Sequence, residues 1–147
     1  MQIRADKRKG MSLFAWNSSY ALGIPQIDAE HQRLFALAEQ LHGAMLKGAA
    51  KSVERELLAS LVSYTRSHFA HEEQLMLRSK YPDYLQHKAD HEALATKVVH
   101  LQNDLDSGRV SLSVEILKFL KDWLSHHICG ADHRIAEHLR SAPAVTP

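Results

Sequence analysis

From Tyr84 to Leu105 the chain advances by alternating steps of three and four residues, so that Tyr84, His87, His91, Leu94, Val98, Leu101 and Leu105 fall on one stripe, closed by Gly108. Such a stripe is one face of an α-helix, because residues three and four apart stack above one another on a 3.6-residue turn. A strand, with its two-residue period, would scatter them over both faces. Two positions of the stripe that should be apolar are histidine. This helix therefore turns imidazoles toward whatever it packs against.

Three further segments repeat the pattern. The first, from about Ile27 to Lys47, reads Leu34, Ala38, Leu41 and Met45, with Asp28 placed as its cap and His31 one turn before Leu34. The second is expected to begin at Ser52, with Glu54 and Glu56 in its first turn, and to end before Pro82. Its inner face carries Leu57, Leu61, Tyr64, His68, Glu72 and Leu75. The fourth, from Ser113 to Arg140, aligns Ile116, Leu120, Trp123 and His127. Ahead of them Ser12 to Pro25 holds Phe14, Trp16, Tyr20 and Pro25, the composition of an extended arm that lays its aromatics along the bundle.

Four long helices joined by short breaks make an all-α, antiparallel up-down-up-down four-helix bundle with an N-terminal extended arm the economical fold. With 147 residues, 45% of them hydrophobic, the chain fills one core and not two. The expected organisation is a flexible basic leader over 1–11, the bundle over 12–140 and a flexible tail over 141–147. Arg4, Lys7, Arg8 and Lys9 suggest the start of a signal peptide, but no apolar run follows them, and Met11 is an alternative start. A net charge of +1 offers no field for nucleic acid, and no run approaches the ~20 apolar residues of a membrane span. A cytoplasmic protein is expected, and the lone Cys129 suits a reducing compartment.

In an antiparallel bundle, the start of the first helix, the end of the second, the start of the third and the end of the fourth share one level. His31, His68 with Glu72, His87 with His91, and His127 with Asp132 stand at those ends. Five imidazoles and two carboxylates buried together without a cation would be costly, and a metal centre removes that cost. Seven ligands are too many for one tetrahedral zinc. They fit two metals bridged by the carboxylates, with the histidines dividing three and two and one coordination position left open. The donor set suits iron and does not exclude manganese. His68 and Glu72 are four residues apart and aim at one point, whereas His127 and Asp132 are five apart and diverge by about 140° on a regular helix. A π-bulge or a loosened turn must join them, with Gly130 supplying the latitude.

The remaining histidines have plainer readings. His42 lies ~16 Å further along the axis than His31. His71, His100, His126, His133 and His138 fall off the stripes and read as solvated, Cys129 as a small core filler, and Met76 and Trp123 as pocket walls.

Trp16, Tyr20, Gly23-Ile24, Ile27-Asp28 and His31, then His68-Phe69, Glu72 and Met76, then His87 and His91, then Trp123-Leu124, His127-Ile128 and Asp132 resemble the signature of hemerythrins, in particular single-domain bacteriohemerythrins. The resemblance runs from Trp16 to Asp132 and fills all seven ligand positions. It implies reversible O2 binding at a non-haem, oxo- or hydroxo-bridged di-iron centre, for oxygen carriage, storage or sensing. His87, His91 and His127 would hold a six-coordinate iron, His31 and His68 a five-coordinate iron open to O2, and Glu72 and Asp132 would bridge. Leu94 and Ile135 stand where the family commonly has aromatics.

The rival from another class is a di-iron enzyme acting on O2, nitric oxide or peroxide. Oxygen-activating enzymes on such bundles use two Glu-x-x-His motifs in a carboxylate-rich site. This chain has one, Glu39 to His42, away from the cluster. A metalloprotease is excluded by the absence of His-Glu-x-x-His. The expectation is a binding protein and not an enzyme. O2 is its ligand, and a reductase or an oxygen-consuming or signalling protein its partner.

Overall fold

In the computed structural model, described for residues 13–109 and 112–141, the chain folds as four long helices with no strand among the described residues. Helix α1 spans Pro25–Leu46, α2 Lys51–Arg78, α3 Tyr84–Asp106 and α4 Val114–His127. The fourth rod continues through a π turn, Ile128–Asp132, into α5, His133–Ser141. Helix α1 packs on α2 and on α4, and α2 on α3. The leader over 1–11 and all but Ser141 of the expected tail lie outside the described residues.

The boundaries follow local chemistry. Helix α1 starts two residues earlier than expected because Pro25 takes the first helical position, where its missing N–H costs nothing. Asp28 therefore sits inside the first turn and is not the cap. Its carboxylate reaches back to accept the N–H groups of Leu22 (2.7 Å) and Gly23 (3.1 Å), tying the arm to the helix. Helix α2 likewise begins at Lys51, so Ser52 is not its cap, and Ala50 precedes it without a side-chain bond. Ser113 does cap α4, accepting the Ile116 N–H at 3.2 Å. Three helices close on a left-handed residue: Gly48 and Gly108, where glycine is at ease, and Lys80 at φ 56°, where a side chain is strained.

Inside, Leu34, Phe35, Leu41, Leu58 and Leu117 are almost fully buried. The stripes are rotated slightly from the sequence expectation, with Leu58 deeper than Leu57 and Leu117 deeper than Ile116. The arm lays its aromatics on the bundle as expected, although Ser18–Tyr20 form a 3-10 turn within the extended stretch. Phe14, Trp16 and Tyr20 all gather on Phe35, with ring centroids 6.5, 5.6 and 5.0 Å away. Pro25 belongs to α1 and not to the arm. Among the described residues no helix is long and apolar enough to cross a membrane.

Candidate metal centre

All seven side chains singled out from the sequence meet at one level of the bundle, each 7% exposed or less. They form two overlapping groups whose donor atoms lie within 4.8 Å of one another: His87, His91 and His127 with Glu72 and Asp132, and His31 and His68 with the same two carboxylates. The sharing is atom by atom. Glu72 turns Oε2 to His31 Nε2 (3.2 Å) and His68 Nε2 (3.0 Å), and Oε1 to His91 Nε2 (3.0 Å). Asp132 turns Oδ2 to His31 Nε2 (3.1 Å), and Oδ1 to His87 Nε2 (3.0 Å) and His127 Nε2 (3.2 Å).

The five-residue step from His127 to Asp132 is spanned by the π turn Ile128–Asp132. Its wider turn brings a fifth residue back to the face that a fourth would occupy on an α-helix. Gly130 is not what makes this possible: its φ is not positive, and a Cβ there would meet nothing within 4 Å.

The donor atoms fit a bound cation better than they fit each other. Oε1 of Glu72, both carboxylate oxygens of Asp132 and Nε2 of His91 are buried and make no hydrogen bond, although ionic partners lie about 3 Å away. Nε2 of His127 faces Nε2 of His87 at 3.1 Å. Lone pairs converging on common points, with hydrogen bonds unmade, are what coordination requires.

Electrostatics say the same. Burial opposes charge on His68, but Glu72's charge and the hydrogen bonds to Glu30 and Glu72 outweigh it and lift the pKa to about 10. His87 is lifted against burial to about 9 by Asp132 and Glu72, and His31 is raised by the same two carboxylates. Burial also opposes ionisation of Glu72 and Asp132, yet the surrounding imidazoles hold both well below the usual carboxylate range. The carboxylates thus demand positive charge, and a metal that supplies it displaces the imidazole protons.

Outside the donor set, aromatic rings hold two imidazoles in plane. Phe69 stacks on His91 (3.8 Å, 3°) and Trp123 on His127 (4.9 Å, 9°). Two carboxylates that sequence reasoning missed sit behind the histidines: Glu30 on His68 Nδ1 (2.7 Å) and Glu73 on His91 Nδ1 (3.0 Å). Each bonds across to a different helix, so no spacing along the chain could have marked it.

Other expectations need correction. His71 is not simply solvated, since its Nδ1 bonds Glu30 at 2.6 Å. His138 donates from Nε2 to the Ser79 carbonyl at 2.8 Å, and Nε2 of His133 is buried. His100 and His126 are exposed as expected. Cys129 is exposed and fills no core. His42 is buried against Glu39 (3.4 Å), apart from the cluster. Met76 packs with Tyr81 and Ile135 in a small second core.

The family model for the hemerythrin HHE cation binding domain matches residues 22–139. The chain belongs to the hemerythrin family. It is 33% identical over 131 residues to the bacteriohemerythrin of Stenotrophomonas maltophilia (strain R551-3), covering 89% of this chain and 84% of that one. To the myohemerythrin of Riftia pachyptila it is 30% identical, covering 87% and 95%. A wild-type hemerythrin crystal structure superimposes with a TM-score of 0.81 at 26% identity, over 86% of this chain and 98% of that one. The donor groups above thus stand on a four-helix scaffold that this chain shares with a solved hemerythrin.

Proposed function

We propose that the chain, as one bundle over 12–140, binds O2 reversibly at a non-haem di-iron centre. Its ligands are His31, His68, Glu72, His87, His91, His127 and Asp132. One observation carries this reading: the two donor groups share the same two carboxylates, each offering one oxygen to either side. A bridged pair of metals uses every donor, three histidines on one side and two on the other. The side with two is the one left with room for a ligand. Two irons held there supply the electrons that O2 takes up on binding and returns on release.

The chain's own residues then decide what reaches the site. One turn deeper than His31, His68, His91 and His127 lie Leu34, Thr65, Leu94 and Leu124, which line an apolar cavity of about 40 Å3 together with Phe14 and Trp123. Thr65 gives its hydroxyl to the Leu61 carbonyl at 2.7 Å and so offers no polar hydrogen there. A small apolar gas enters such a cavity more readily than water, which finds no partners in it. Leu94 is one of the side chains that line this space.

Five histidines to two carboxylates also favour binding over oxygenase chemistry, because carboxylates are the donors that stabilise more highly oxidised iron. No oxygenase role is proposed. The experiment is iron content together with the absorption spectrum of the reduced protein before and after O2. We expect two irons per chain and a charge-transfer band that appears with O2 and disappears when O2 is removed. A single zinc, or oxidation that cannot be reversed, would overturn the reading.

A further inference from the structure

The two halves of the centre are anchored from behind in different ways. In the three-histidine half, His91 Nδ1 bonds Glu73, whose side chain is 22% exposed. In the two-histidine half, Nδ1 of His31 is buried without a hydrogen-bond partner. The orienting of that half falls to His68, whose Nδ1 lies 2.7 Å from Glu30 Oε1. Glu30 is itself pinned: its other oxygen lies 2.6 Å from His71 Nδ1, and its side chain, on α1 while both histidines belong to α2, is 12% exposed. A carboxylate held at both oxygens cannot turn away from His68.

We propose that Glu30 is the positioning residue of the two-histidine half. It accepts the Nδ1–H of His68, fixes that ring with Nε2 toward Glu72, and makes it a stronger donor to the metal at the open position. This rests on the functional reading above. The physical basis is general: a ligand imidazole that donates its remaining N–H to a carboxylate is locked in tautomer and orientation and becomes more basic. Glu73 does the same for His91 with less authority, because water can replace a partly exposed carboxylate.

Charge and shape are separated by two variants. Glu30→Gln keeps the size and one acceptor oxygen but removes the negative charge. It should retain both irons while raising the midpoint potential, since the oxidised metals lose electrostatic support. Glu30→Ala removes the acceptor as well, and should weaken iron binding in the two-histidine half by ~10–100-fold while the three-histidine half keeps its metal. In metal-free protein it should also abolish the downfield, slowly exchanging Nδ1–H proton signal of His68. Glu73→Ala should shift the potential less. Wild-type protein with two irons, combined with a Glu30→Gln potential equal to wild type or a larger shift from Glu73→Ala, overturns this assignment alone. Wild-type protein that takes up no iron overturns the functional reading, and this one with it.

Discussion

Glu72 and Asp132 do the same work from differently built backbones. Glu72 follows His68 by four residues on a regular α-helix, and its two methylenes carry the carboxylate from the helix surface to the centre. Asp132 follows His127 by five, on a π turn, with one methylene fewer. The shorter side chain and the wider turn belong together. Where the helix stays regular the side chain supplies the reach, and where the side chain is short the backbone supplies it.

The largest test treats the carboxylates as equals. Each belongs to both donor groups, so Glu72→Ala and Asp132→Ala should each cost both metals, whereas His68→Ala, in one group only, should leave one. Metal content after desalting reads this directly. An Asp132→Ala variant that keeps a metal would show that the π turn serves only the three-histidine side.

A smaller effect is expected from the π turn itself. Deleting Gly130 would make Asp132 the fourth residue after His127 and restore a regular helix. The carboxylate would then fall one methylene short of the place that Glu72 reaches, and metal binding should weaken by more than tenfold. Adding Asp132→Glu to the deletion should recover it. Gly130→Ala, by contrast, should keep both metals and raise stability by about 0.5–1 kcal/mol, because a Cβ has room and alanine is the better helix former. Metal titration followed by thermal melts separates the three variants. A deletion that binds as well as wild type would break the link between side-chain length and turn.

Much of this was legible in the sequence. The His87/His91 stripe fixed a helix and its buried face, and the placement of four ligand groups at alternating helix ends fixed the level at which they meet. Even the π turn could be anticipated, since a five-residue step cannot be coordinated by a regular helix. What the sequence hid were contacts between helices. Glu30 and Glu73 look like ordinary surface acids beside ligands, and only the packing of α1 on α2 and α2 on α3 turns them toward His68 and His91. Asp28 and Ser52 misled because their capping chemistry is right while Pro25 and Lys51 start the helices sooner.

Acidity gives a third comparison, between the site with and without metal. His68, lifted from 6.5 to about 10 in the folded chain, adds stability that is fully present below pH 6.5 and is lost as pH rises through 10. His87 behaves alike through about 9. Glu72 and Asp132, depressed on folding, add stability present above their ordinary values of 4.5 and 3.8 and lost as pH falls below them. Metal-free protein should therefore melt lower both in acid and above about pH 9. Metal-loaded protein should lose the alkaline weakness, because the metal stands in for the imidazole protons, and should release metal in acid as those protons return. Thermal midpoints across pH, with and without metal, check both halves.

The smallest effect on metal binding lies at the end of the regular helix. Helix α2 carries His68 and Glu72 without a break and runs regularly to Arg78, beyond which Lys80 takes φ 56° so that the Tyr81 N–H can reach the Met76 carbonyl at 2.9 Å. A side chain in that left-handed region is strained, and glycine relieves it. Lys80→Gly should raise stability by about 1 kcal/mol, less whatever the freer unfolded chain takes back. Its metal affinity should equal wild type, since Lys80 is eight residues beyond Glu72 and outside the donor set. The fourth rod has no such variant: its irregular turn lies between His127 and Asp132, so relief there acts on coordination. If Lys80→Gly altered metal binding, the strain at the end of α2 would belong to the site as the π turn does.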